Sequence, residues 1–208
     1  MSSFDDLFVD ARAYQPPNKW EARIGNLLVL LIAGLMLLGG WMFKDWMQSQ
    51  FRYLALSEGE IAIPYPPTWT PRFSEAYALQ VVDPESPTAF PAREIVQTLP
   101  LPEQPFMADW PSQRAATLAE YRELERRRVT LADGRQALLL TYAYVMENDR
   151  VSEPSLVAVQ AMDLVFVARY GGEKRLVVVT FAADASDWDR VRPMFQRALA
   201  KLGVTYAP

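Results

Sequence analysis

The sequence predicts an α+β fold, an antiparallel sheet flanked by helices, preceded by a single N-terminal transmembrane helix. Three observations carry this expectation. An uncharged, mostly apolar run extends from Ile24 to Phe43. Two long apolar stretches each break at a turn-forming pair, Asp133-Gly134 and Gly171-Gly172. Near the C-terminus, Trp188, Val191, Phe195, Ala198, Leu199 and Leu202 recur at helical spacing. A chain of 208 residues has room for one domain of ordinary size and an appendage.

The chain opens with a short leader, residues 1–23, expected to be cytoplasmic and amphipathic. Ser3 can cap a helix whose first turn holds Asp5 and Asp6, favoured near the positive end of the dipole. Phe4, Leu7, Phe8 and Ala11 then share one face. So short a helix is not stable alone and must lie on the membrane surface or on a partner; its acidic charge disfavours an anionic membrane surface, so this face is a candidate contact for a partner protein. Pro16-Pro17 ends the unit.

Residues 24–43 form the span. About 20 residues at 1.5 Å each cross the hydrocarbon core. Trp20 and Arg23 precede the run, and Trp41, Lys44 and Trp46 follow it, as membrane-interface anchors do. A cleaved secretory signal has a shorter apolar core and a small-x-small site close behind. Here the run ends in Gly39-Gly40-Trp41-Met42-Phe43, so the helix is read as retained. Asn26, Ala33 and Gly40 recur every seventh residue and form a candidate helix-packing face. Arg12, Lys19 and Arg23 outnumber Lys44 and Arg52 across the span by one charge, which places the N-terminus in the cytoplasm and the C-terminal domain outside. Residues 44–59 read as a helical stalk continuing to Leu56.

The domain is expected over 60–208. "EIAIPY" alternates at period two and stops at Pro66-Pro67. "EAYALQVVD" and "REIVQTL" are further strands, and "LPLPEQPFMADWP" reads as extended linker. "SQRAATLAEYRELERR" reads as a helix capped by Ser112, with Ala115, Leu118, Tyr121 and Leu124 near one face. Two hairpins follow, with Leu138–Met146, Leu156–Ala168 and Leu176–Ala182 at the centre of the sheet. The final helix is expected from Ser186, kinked or restarted at Pro193.

Two motifs in this order resemble the PsbP/Mog1-like fold. "IPYPPTW" is similar to its opening strand and proline-tryptophan turn, and "RLVVVTFAADASDWDRVRPMFQRALAKL" to its closing strand and helix. The resemblance covers about residues 60–202 and implies an antiparallel sheet between helices. It further implies a mostly non-enzymatic family of extrinsic photosystem subunits, binders of other proteins, and bacterial lipoproteins. This chain departs from the plant photosystem subunits in carrying its own anchor and in lacking any histidine for metal contact.

Composition narrows the chemistry. There is no Cys and no His. That removes disulfides, thiolate nucleophiles, Cys/His metal sites, a Ser-His-Asp triad and His or Cys ligation of haem. Net charge is −4, so nothing points to nucleic acid as a partner. No catalytic, cofactor or metal residues are assigned. Asp184, Asp187 and Asp189 could hold Ca²⁺, but as neighbours of a helix start they more simply complement its dipole. Arg122 to Arg128 read as a solvated charge run. Asp163, inside "AVQAMDLVFVA", could be catalytic if buried; more simply it points to the solvent face of an alternating strand, or pairs with a neighbouring Arg such as Arg169 or Arg175. Phe106, Met107 and Trp110 either anchor a partner from a rigid loop or cap the core.

The sequence therefore reads as a non-catalytic single-span accessory or assembly subunit of a membrane complex. By family analogy the host is a respiratory or photosynthetic electron-transfer assembly. Its partners are the bilayer and other subunits. A membrane-tethered extracytoplasmic module binding a ligand or peptide is the alternative, and an acid/base hydrolase a third.

Overall fold

The computed structural model describes residues 18–56, 61–72, 74–102, 106–148 and 155–204. The chain divides into two compact units, Met1–Ser49 and Gln50–Pro208.

The first unit contains helix α1, Lys19–Ser49. Within it Arg23–Lys44 is apolar and long enough to cross a membrane, and none of its most apolar window is buried. The leader face of Phe4, Leu7 and Phe8 lies outside the described residues.

In the second unit two short strands, β1 (Arg52–Leu56) and β2 (Ile61–Tyr65), pair antiparallel. This corrects the helical stalk: the helix stops at Ser49, and the chain beyond it is strand. Phe51 and Leu54 pack on the core of the domain, which is why this segment is extended. The main sheet has seven strands. They are β3 (Thr70–Pro71), β4 (Leu79–Val82), β5 (Arg93–Pro100), β6 (Ala119–Thr130), β7 (Gln136–Asn148), β8 (Ser155–Tyr170) and β9 (Glu173–Asp184). Their order is β3-β4-β5-β9-β8-β7-β6, and every pairing is antiparallel. The three strands expected at the centre are all interior. Asp133-Gly134 and Gly171-Gly172 make their turns with positive φ at all three glycines.

Both faces of the sheet are buried, so residues of opposite parity form two cores. One face gathers Leu139, Leu164, Phe166, Val179 and Phe181 under helix α3 (Trp188–Lys201). Phe195 is its hub, meeting Phe181, Trp188 and Trp69 at ring-centroid distances of 4.9, 5.5 and 5.9 Å. The opening turn and the closing helix thus pack together. The other face gathers Leu138, Leu140, Val159 and Val178 with Trp110 from helix α2 (Phe106–Thr117).

α3 starts at Trp188 with Asp187 at its N-cap, rather than at Ser186. It runs through Pro193 without restarting. It closes on a Schellman turn, Val204 N–H to Leu199 O and Gly203 N–H to Ala200 O, both 3.0 Å. Gly203 has φ +84°, and a Cβ there would strike the backbone of Ala132, so no other residue fits.

The largest departure lies at 106–130. The expected linker is helix α2 from Phe106, with Pro111 inside it. The expected helix over Ser112–Arg127 ends at Thr117, and the rest is edge strand β6. β7 is apolar on both faces, and its free edge takes this strand as a partner across two bulges.

Candidate functional site

α2 brings Trp110 and Arg114, one helical turn apart, onto the same point of the sheet. That point is Asp163, which stands opposite Leu140 on β7 and Thr180 on β9. Asp163 has no solvent exposure. Its Oδ2 accepts from Trp110 Nε1 at 2.8 Å and Arg114 Nε at 2.7 Å. Its Oδ1 accepts from Thr180 Oγ1 at 2.7 Å and Tyr142 OH at 3.2 Å. Four donors fill the acceptor positions of a carboxylate, and none is left for a substrate proton. Burial, the condition set for a catalytic role, is met, but the group is saturated.

The Arg114 guanidinium is held as firmly. Its Nη2 donates to Thr180 Oγ1 at 3.2 Å, and its plane lies 4.7 Å from the Trp110 ring centroid and 5.8 Å from that of Tyr142. Burial is the largest single influence and would lower its pKa, but the charge and hydrogen bond of Asp163, together with Tyr142 and Tyr144, outweigh it and raise the pKa. Burial, and then the Asp163 charge, push the Tyr142 phenol well up, so it stays a donor.

Above this floor is an open cleft of about 490 Å³. β5 contributes Arg93, Ile95 and Gln97, and β7 contributes Tyr142, Tyr144 and Met146. Tyr77 and Phe90 stand beside them, and Arg114 and Thr117 come from α2. Arg93 lies over the Phe90 ring, 3.8 Å from its centroid, and its Nε donates to Pro91 O at 3.3 Å. No carboxylate lines the cleft among the described residues.

Several expectations are corrected here. Trp110 is not an exposed anchor. It is 4% exposed because its indole N–H has a partner only inside. Met107 packs half-buried on the same core, and Phe106 begins α2 with its side chain outside the described residues. Asp163 pairs with Arg114, not with Arg169 or Arg175. Arg169 shares its face but lies six residues along the strand, about 20 Å away. Arg175 pairs with Glu173 instead. The signal for Arg114 was its spacing from Trp110.

The acidic cluster is divided. Asp187 is buried and pairs with Arg190, which also reaches Asp83 at 2.9 Å and so ties the 83–86 loop to α3. Hydrogen bonding and charge from Arg190 lower the Asp187 pKa despite its burial. Asp184 caps its own turn through Ser186, and Asp189 is exposed. No group of three or more His, Cys, Asp or Glu able to hold a metal occurs among the described residues. In the charge run, Arg126 pairs with Glu123 and Arg127 with Glu125 on the outer edge of β6.

The anchor residues all fall on α1, and Trp20, Arg23, Trp41, Lys44 and Trp46 are all exposed. Trp20 and Trp41 are roughly 32 Å apart along it, near the thickness of a hydrocarbon core. Asn26, Ala33 and Gly40 share one side, drifting by only about 20° per heptad.

No protein-family model and no curated protein matches this sequence. Among solved structures the chain is similar to the Ran-binding protein Mog1p of Saccharomyces cerevisiae. Identity is 12% over 74% of this chain and 89% of that chain, with a TM-score of 0.42. It is similar also to a mutant of protein Mog1, at 12% identity over 74% of this chain and 90% of that chain, with a TM-score of 0.42.

Proposed function

We propose that this chain is a non-catalytic, single-span membrane protein that works as an accessory or assembly subunit of a larger membrane complex. The observation that carries the reading is the apolar helix Arg23–Lys44, whose most apolar window has no protein covering it. Leaving a large apolar side chain in water costs roughly 1.5–3 kcal/mol. Ile24 to Phe43 presents over a dozen of them. Their sum exceeds the ~5–15 kcal/mol that holds a domain together, so lipid or other helices must cover them. The saturated Asp163 supports a role without catalysis, because this buried ion pair offers no free acid or base. The one-charge excess before the span favours a domain outside the membrane. The sequence resemblance makes an electron-transfer complex the first host to test.

The test is purification of the tagged full chain from native membranes in mild detergent, with native-gel sizing and mass spectrometry. A stoichiometric large assembly is expected, and its companions name the process. A lone species of 23.6 kDa plus detergent would overturn the subunit role. It would leave the second reading, a membrane-tethered ligand-binding module, which the cleft over Tyr142 and Arg93 favours.

A further inference from the structure

We propose that the cleft beside α2 binds a small, flat, neutral aromatic ring that carries a carbonyl-type acceptor, with that acceptor docked on Arg114. The proposal holds whether the chain acts alone or within an assembly. The cleft volume of about 490 Å³ lies in the range of small-molecule sites. Tyr77, Phe90 and Tyr144 line it above the buried Tyr142, and the Tyr142 and Tyr144 ring centroids stand 6.0 Å apart on β7. Aromatic surfaces of this kind suit a flat ring.

Arg114 decides what that ring must carry. Of the five N–H donors of its guanidinium, the one on Nε is spent on Asp163 and one on Nη2 is spent on Thr180. The second on Nη2 and both on Nη1 remain. The side chain is 18% exposed, and it lines the cleft. Donors in an open cleft are hydrated. A ring that displaces this water must offer an acceptor or leave the donors unpaired, which weakens binding. The Asp163 carboxylate, 2.7 Å from Arg114, offsets its charge, so a neutral acceptor suffices. The guanidinium is also fixed in advance by these two bonds and by the Trp110 ring, and it loses little freedom when a ligand docks. Arg93 is engaged at the rim with Phe90 and Pro91 O, and the recognition does not depend on its charge.

The experiment uses the full chain in nanodiscs, with empty nanodiscs subtracted. The probes are coumarin and indole, titrated calorimetrically. Both are flat, neutral and bicyclic, but coumarin brings a carbonyl acceptor and no donor, and indole brings an N–H donor and no acceptor. Coumarin should bind saturably, one to one, with Kd on the order of 0.1 mM. Indole should bind about tenfold more weakly or worse. Arg114→Lys keeps a positive charge beside Asp163 but removes the planar fork. It should weaken coumarin about tenfold and bring the two probes close to equality, which a loss of packing alone would not do. Thr117→Trp fills the entrance from the exposed rim without touching the core, and should weaken both probes. It keeps the test open if Arg114→Lys folds poorly, as thermal melts would reveal. Equal binding of the two probes to the wild type, no saturation by coumarin up to about 2 mM, or coumarin affinity unchanged in a folded variant would each overturn the proposal.

Discussion

Glu94 is a carboxylic acid in an apolar seat. It points to the α3 face of the sheet, opposite Val81 and Phe181, with no solvent exposure. Neither carboxyl oxygen has a hydrogen-bond partner among the described residues. Burial pushes its pKa well above the ordinary 4.5. The folded chain thus binds this proton more tightly than the unfolded chain does. Stability is greatest below the ordinary value and falls as pH rises from there through the raised folded value. Glu94→Met removes both the unpaired polar group and this slope. At pH 8 it should stabilise the chain by about 1–3 kcal/mol, and much less at pH 5. Urea midpoints of both forms at the two pH values check this. An unchanged or lower midpoint at pH 8 would show that the acid has a partner. Asp163 carries the same charge type but solves its burial the opposite way, by collecting four donors. Neither outcome was legible in the sequence. Period-two alternation separates inside from outside only when one face of a sheet meets water, and here both faces are covered.

Beside the packing of Trp110 and Met107, α2 is tied to the sheet by the Arg114–Asp163 ion pair, and that pair limits what the element can tolerate. Arg114→Met leaves the Asp163 charge buried and uncompensated, a loss of about 3–5 kcal/mol. Adding Asp163→Leu removes the stranded charge, and the double variant should recover at least half of the loss despite orphaning Trp110 Nε1, Tyr142 and Thr180. Denaturation of wild type, both single variants and the double gives the coupling. Additive effects would mean that the pair does not hold α2 in place. The sequence misplaced this element for a definable reason. "AEYRELERR" is rich in good helix formers, and pairing with β7 overrides that propensity. Two bulges in β6 also shift its register, so Tyr121, Glu125 and Val129 are the half-buried positions. A spacing of four imitates a helix and hides the strand. The hairpins at Asp133-Gly134 and Gly171-Gly172, and the stripe of α3, were legible because turn chemistry and periodicity agree there. The cleft was not, because its residues come from β5, β7, two loops and α2, which only the fold assembles.

At the scale of the whole molecule, the decisive question is which side of the membrane carries the domain. A single charge separates the two flanks of the span, and a bias that small sets direction weakly unless the first helix dominates. The composition provides a direct test, because the chain has no cysteine and any introduced one is the sole thiol. Ser3→Cys marks the leader. Ala200→Cys marks the exposed side of α3, away from Phe195 and Leu199, and leaves the core intact. In intact cells a membrane-impermeant maleimide should label the Ala200→Cys chain. The Ser3→Cys chain should react only after permeabilisation. The reverse pattern would put the domain in the cytoplasm, and the partner would then be sought there. Labelling of both without permeabilisation would mean that Arg23–Lys44 does not span at all. In that case the apolar surface of α1 would have to be covered by protein.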